Sequence, residues 1–288
     1  MALAALIGFN VLNSIAALVL LSVGLGVIFG MMKIINLAHG EFLMLGAYAT
    51  VIATNAGLNL FVAMLVVAPL FVGAVGLLVE RGIIRFLYGR MIDTMLATWG
   101  LSLFLVGIIT TVFGTTVKGV AAPFGGFAIG PYQASAYSVF MIVMAVAVLV
   151  GIWATLRFTR FGLIARATMQ NPDMAAALGV SPPRIYMATF VLGAALTGLA
   201  GGVLVPVSGV APTMGAAYIA RAFITVIGGG ASIITGSGLA SVLFGFIDQV
   251  VTFQTTPVFG QVALLISALV MIRILPQGIT GRFFRRSL

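Results

Sequence analysis

The stretch Ile35-Asn36-Leu37-Ala38-His39-Gly40-Glu41-Phe42-Leu43-Met44-Leu45-Gly46-Ala47-Tyr48 sets the chain's only histidine two positions from one of its five acidic residues. It interrupts an otherwise apolar run from Val19 to Ala53. Ionisable groups in lipid are costly unless they face a protein interior or a water-filled cavity. A polar break containing glycine between two hydrophobic runs therefore reads as a working part of a membrane protein.

The whole composition agrees. The 288 residues are 62% hydrophobic and 7% charged, with a mean hydropathy of +1.26, whereas soluble domains carry roughly 25% charged residues. The fold class is an all-α integral membrane protein. Cysteine is absent, so neither a disulfide framework nor a thiolate metal site is available. The net charge of +9 fits basic loops facing the cytoplasm and anionic membrane lipid rather than nucleic acid. The N-terminus lacks a basic region before its apolar segment, so no cleavable signal peptide is expected.

A spanning helix needs about 20 apolar residues. Spans are expected near 6–32, 36–54, 59–79, 92–113, 137–156, 185–206, 215–231, 233–253 and 257–275, giving eight or nine transmembrane helices in a single domain over 1–288. Residues 24–50 and 214–245 are rich in Gly and Ala, so broken or re-entrant helices are expected there. Three clusters of arginine set the sidedness: Arg81, Arg85 and Arg90; Arg157, Arg160, Arg166 and Arg184; Arg273, Arg282, Arg285 and Arg286. Placing all three in the cytoplasm puts the N-terminus outside, the C-terminus inside and Lys118 outside. Gly73 with Gly76, Gly193 with Gly198, and Gly201 with Gly202 supply the small surfaces that let membrane helices approach closely.

Asn36, His39, Gly40 and Glu41 have two compatible readings. One is a path-lining or hinge element, because Asn, imidazole and carboxylate supply donors and acceptors that apolar walls lack. The other is a helix cap, with Asn36 accepting N–H bonds and Glu41 favouring the helix N-terminus. One His and one Glu without further ligands do not make a metal site. Asp93-Thr94 reads as the cap opening the fourth span. Arg221 and Asp248 fall in or near the seventh and eighth spans and suggest an intramembrane ion pair; a substrate-carboxylate role for Arg221 is the sharper alternative.

The longest polar stretch, about 157–184, contains Asn171-Pro172-Asp173 and ends on Gly179. Asn171 suits an N-cap, Pro172 the first turn, Asp173 the positive end of the dipole and Gly179 the helix exit. A short helix over 172–178 follows. It serves either as a docking element for another subunit or as an amphipathic linker on the membrane surface. No G-x-x-x-x-G-K-[ST] loop is present, and Gly236-Ser237-Gly238 makes no convincing nucleophile motif. The chain is therefore read as a non-enzyme: if transport uses ATP, another chain hydrolyses it.

Several segments together resemble the membrane subunits of ATP-binding-cassette importers for branched-chain amino acids and urea. Ile35–Phe42 through Gly46-Ala47-Tyr48 resembles the family's I-N-x-A-H-G-E pattern. Gly162, Arg166, Ala167, Asn171, Ala176, Leu178 and Gly179 fall in a segment similar to its cytoplasmic coupling loop. Arg273-Ile274-Leu275-Pro276-Gln277-Gly278-Ile279 resembles its closing R-P-x-G-L element. The block Gly228-Gly229-Gly230-Ala231-Ser232 departs by an Ala where the family often has Gly, and the spacing to Gly236 is a residue longer than usual.

The resemblance implies a permease in the bacterial inner membrane. Its expected partners are a homologous second permease, two cytoplasmic ATPases that carry ATP and Mg, and a periplasmic solute-binding protein. It implies no cofactor on this chain, and it favours ATPase docking for 162–180. Branched-chain amino acids are the expected substrate. Leu96-Ala97-Thr98-Trp99-Gly100-Leu101-Ser102 resembles the urea and short-amide branch, which makes that the alternative. A channel or ion-coupled carrier independent of ATP is the reading from a different class. A weak internal repeat relates 35–51 to 227–243, each a break followed by a helix of small residues, as in transporters built from two repeats.

Overall fold

Proline, glycine and one asparagine turn decide where the long apolar runs become separate helices. The computed structural model describes residues 1–230 and 232–284, with backbone alone for Ile233 and for 282–284. Ala231, Arg285 and Arg286, and the side chain of Arg282, lie outside the described residues. The elements are α1 (Ala2–Met32), α2 (His39–Asn55), α3 (Leu60–Val62), a π turn (Ala63–Val67), α4 (Ala68–Gly82), a 3-10 turn (Ile84–Leu87) and α5 (Met91–Phe113). A hairpin follows, β1 (Gly126–Ile129) with β2 (Tyr132–Ser135), then α6 (Ala136–Phe158), α7 (Arg160–Gln170), α8 (Pro172–Ala177) and α9 (Pro182–Ser208). The chain continues with α10 (Met214–Gly229), α11 (Ile233–Gln254), α12 (Pro257–Ile274) and α13 (Gly278–Phe284).

Among the described residues, seven helical segments are long and apolar enough to cross a membrane. The second and seventh expected spans are the short ones, α2 with 17 residues and α10 with 16. Both lie in the Gly- and Ala-rich regions expected to hold broken helices. Leu60–Gly82 forms one continuous span with a local irregularity. Pro69 has no N–H to return to Leu65, and the Ala68 N–H instead reaches back five residues to the Ala63 carbonyl. The ladder widens into a π turn, a known response to an interrupted hydrogen-bond register.

The connection between α5 and α6 holds structure that the sequence reading did not anticipate. β1 and β2 pair antiparallel, with Ile129 opposite Tyr132, across the two-residue turn Gly130-Pro131. Gly130 sits at φ +62°, which costs glycine nothing and suits tight hairpins. Lys118 and Val210 exchange backbone hydrogen bonds of 2.9 and 2.7 Å.

The chain divides into two compact units. The first comprises Met1–Val23, Ala121–Val150 and the chain from Arg221 onward. In it α11 packs on α12, and Gly245 of α11 lies against Ile15 of α1. Its C-terminal turn closes on the α10–α11 break: the Thr280 hydroxyl donates to the Gly229 carbonyl at 2.6 Å and accepts from the Ser232 N–H at 3.2 Å. The segment similar to a closing R-P-x-G-L element thus packs at the glycine block.

The second unit comprises Gly24–Val120 and Gly151–Ala220. Helix α9 is its axis, flanked by α2 and α4 and met by α1 at Gly24 and Gly193. The glycines expected to mediate close approach sit at these contacts. A Cβ on Gly46 would lie 2.2 Å from the Gly198 carbonyl oxygen, and one on Gly201 would lie 2.0 Å from that of Leu43. Both obstacles are backbone, which cannot move aside as a side-chain tip does. Phe42, Tyr48 and Phe190 are fully buried around this crossing, and Phe42 meets Phe190 edge-on at 6.1 Å.

Gly46→Val should destabilise the protein by more than the roughly 1–3 kcal/mol typical of core overpacking, because α2 and α9 would have to separate. Gly151→Ala, which meets nothing within 4 Å, should leave thermal denaturation of the detergent-solubilised protein unchanged. Equal melting temperatures for the two variants would refute this account of the crossing.

Candidate translocation and coupling elements

The break between α1 and α2 begins at Lys33, a non-glycine residue at φ +53°. Asn36 then turns the chain, its side-chain oxygen accepting the Ala38 N–H at 3.0 Å. This Asx turn replaces a backbone turn. It corrects the expected cap: the residue preceding α2 is Ala38, which makes no side-chain cap bond, and Asn36 acts two residues earlier. Glu41 does occupy the first turn of α2, where a carboxylate meets the positive end of the dipole.

Asn36, His39 and Glu41 are all buried, and helices α5 and α9 supply their surroundings. The Thr98 hydroxyl accepts the Leu37 N–H at 3.0 Å while donating to the Thr94 carbonyl of its own helix at 2.8 Å, so it satisfies one backbone donor within the break. Ser102, one turn further along α5, lies beside the Glu41 carboxylate. The Thr197 hydroxyl lies 3.3 Å from His39 Nδ1 and donates to the Gly193 carbonyl at 2.8 Å. With its proton so directed, Thr197 is left as the acceptor for an Nδ1–H on His39. Gly40 packs against Gly215 at the start of α10, where a Cβ would fall 2.2 Å from the Gly215 carbonyl oxygen.

Two atoms of this cluster keep unused capacity: Asn36 Nδ2, a donor, and Glu41 Oε2, an acceptor, are buried without a partner. Buried polar groups are nearly always satisfied, so each exception calls for an explanation. Among the described residues no group of three metal-ligating side chains exists.

Sequence reasoning missed Thr98, Ser102, Thr197 and Gly215. The signal was present at the first two. Within Leu96–Ser102, Trp99 is 55% exposed, while Thr98 is buried and bonds the break at the Leu37 N–H. Asp93-Thr94 does not cap the fourth span either. The helix already begins at Met91; Asp93 pairs with Arg90 at 2.5 Å across an exposed surface, and Thr94 returns its hydroxyl to the Arg90 carbonyl at 2.8 Å.

The Arg221–Asp248 ion pair is absent. The one ion pair among the described residues is Arg90–Asp93, and Asp248 instead accepts from the Ser14 hydroxyl of α1 at 3.2 Å. A small hydroxyl partner on a neighbouring helix takes the place assigned to the guanidinium.

The polar stretch 157–184 holds two helices. Thr159 caps α7 by accepting the Gly162 N–H at 3.0 Å, and Gly162, Ala165 and Thr168 form its buried face. A Cβ on Gly162 would strike the Leu156 carbonyl at 2.4 Å, so α7 folds closely against the end of α6. Asn171 caps α8 by accepting the Met174 N–H at 2.9 Å. Gly179, at φ +86°, ends it, as glycine commonly does at a helix exit. Ala175 is buried, whereas Met174 and Leu178 are 59% and 79% exposed. Arg166, Ala167 and Ala176 are exposed as well. The result is a short, firmly capped helix that presents apolar side chains outward.

Seven helical segments long and apolar enough to span, with a buried polar break and an exposed short helix, describe a multi-pass membrane protein. Residues 7–275 match the family model described as "Branched-chain amino acid transport system / permease component", and the chain belongs to that family. It is 26% identical over 290 residues to the high-affinity branched-chain amino acid transport system permease protein LivH of Escherichia coli, covering 95% of this chain and 94% of that one. Identity to the probable LivH of Methanocaldococcus jannaschii is 27%, covering 92% and 88%. Identity to BraD of Pseudomonas aeruginosa is 27%, covering 91% of each. The fold is similar to a chain of PsaBC from Streptococcus pneumoniae in complex with Fab, with a TM-score of 0.50, 15% identity and coverage of 97% and 94%. Being a permease of an ATP-binding-cassette system, the chain works with other transporter subunits.

Thr98→Val should expose the cost of leaving the part-buried Leu37 N–H without its acceptor, about 1 kcal/mol, read as a lowered melting temperature. His39→Ala combined with Glu41→Gln should reduce solute uptake at unchanged expression. Full uptake by that double variant would leave both side chains as parts of the α2 start alone.

Proposed function

We propose that the chain is the permease subunit of an importer that moves branched-chain amino acids inward across the bacterial inner membrane. Its partners are a second, homologous permease, two cytoplasmic ATPases and a periplasmic binding protein. ATP and Mg reside on the ATPases; this chain carries no cofactor and hydrolyses nothing. The basic connections lie in the cytoplasm, with the N-terminus in the periplasm and the C-terminus inside.

The observation that carries the reading is α8. Its N-cap, proline first turn and glycine exit fix it between α7 and α9, while Met174 and Leu178 stand free of the fold. Rigidly held apolar residues at the end of a polar connection are what a second protein needs as a lever. Nucleotide-driven movement of the ATPases would pass through α7 and α8 into α9, against which α2 and its polar break are packed backbone to backbone. Each nucleotide or solute shifts the balance only by binding one packing better than the other. The branched-chain substrate follows the names of the relatives.

In proteoliposomes containing all subunits, leucine uptake should require ATP and loaded binding protein. ATP-independent uptake by this chain alone would overturn the proposal in favour of a channel or carrier. Leu178→Asp and Arg166→Glu should each lower receptor-stimulated ATPase activity at least severalfold while membrane insertion stays intact. Undiminished stimulation in both would remove α7 and α8 from the coupling route.

A further inference from the structure

Arg81, Arg85 and Arg184 converge on one cavity of about 360 Å3, whose lining also includes Glu80, Ser181 and Met187. Arg81 lies in the last turn of α4, Arg85 in the adjoining 3-10 turn, and Arg184 in the first turn of α9. Among the described residues the only ion pair is Arg90–Asp93, so no carboxylate lies within 4.0 Å of these three guanidiniums. Glu80, the one acid in the lining, is buried and receives the Tyr88 hydroxyl. Burial and that carboxylate push the Tyr88 phenol well above its usual range, which keeps that donor protonated and on Glu80 Oε1; Oε2 has no hydrogen-bond partner, so three guanidiniums face a single carboxylate.

Like charges gathered at one cavity repel, and the arrangement calls for an anion. Position indicates which. Arg81 closes the span Leu60–Gly82 and Arg184 opens the span Pro182–Ser208, so the cavity stands where hydrocarbon gives way to headgroups. The N-terminus of the 27-residue helix α9 adds the positive end of its dipole. Leu78, exposed and three residues before Arg81, and Met187 in the lining offer apolar surface on the membrane side. Basic pockets at the cytoplasmic ends of membrane helices suit phosphate-bearing lipid heads, and guanidinium forks pair with phosphate oxygens two at a time. We propose that this cavity binds the phosphate headgroup of an anionic phospholipid.

Native mass spectrometry of the full chain, offered equimolar phosphatidylglycerol and phosphatidylcholine, tests the assignment. The wild type should retain the anionic lipid with about tenfold preference, equivalent to about 1.4 kcal/mol. The triple variant Arg81→Gln, Arg85→Gln, Arg184→Gln should fall to near parity. The corresponding triple change to Lys should keep most of the preference and thereby separate charge from folding, and Arg157→Gln should behave as wild type. Parity in the wild type, or a preference that survives the three Gln changes, overturns the assignment. So does displacement of the lipid by millimolar inorganic phosphate, which would make free phosphate the ligand. Weaker ATPase binding by the triple Gln variant at unchanged lipid preference would assign the arginines to protein docking and also overturn it.

Discussion

Helix α9 presents Gly193, Gly198, Gly201 and Gly202 to its neighbours; Gly201 faces backbone atoms alone, and the other three face backbone and side-chain atoms together. In lipid no hydrophobic force draws one helix to another, so association depends on close packing and hydrogen bonds. The glycines bring α1, α2 and α4 near enough that a polar helix start is sealed among carbonyls and hydroxyls. Were α2 held at an ordinary distance, His39 would lose Thr197, and Glu41 and Asn36 would meet the hydrocarbon. The buried polar cluster is thus a consequence of packing distance, as much as of the polar residues themselves.

Threonine hydroxyls bond to backbone at both helix breaks. Thr98 accepts the Leu37 N–H beside the Ile35 carbonyl, and Thr280 links the Gly229 carbonyl to the Ser232 N–H. A gap in a membrane helix leaves backbone groups that water cannot reach, and neighbouring hydroxyls are one of the means that satisfy them. At the first break the hydroxyl satisfies one backbone donor, and at the second it joins the two helix ends.

Much of this was legible in the chain. Apolar run length gave the spans, arginine clusters separated them, and Asn171-Pro172 with Gly179 marked α8 to within a residue. Small-residue pairs marked the faces of α4 and α9 that touch. Features that depend on three-dimensional juxtaposition were not legible. Thr98 and Ser102 look like ordinary threonine and serine in an apolar helix until α2 arrives beside them. Arg221 and Asp248 have complementary charges, but complementarity says nothing about distance, and Ser14 lies more than 200 positions away in sequence from the aspartate it serves. Helix α7 hid in a stretch whose arginines read as loop; its cap Thr159 and the spacing of Gly162, Ala165 and Thr168 were the available clue.

The π turn at Ala63–Val67 sets the angular phase of everything that follows it in that span. One extra residue in a turn rotates the downstream helix by about 100° relative to an unbroken α-helix. Without it, the sector of α4 carrying Val72, Gly73 and Gly76 would swing away from α9, and bulkier lipid-facing residues would arrive in its place. Pro69, by withholding one N–H, thus selects which side of a largely uniform apolar helix becomes interior. Arg81 and Arg85 inherit their bearing from the same turn, so one missing hydrogen atom orients both a packing face and a charged rim.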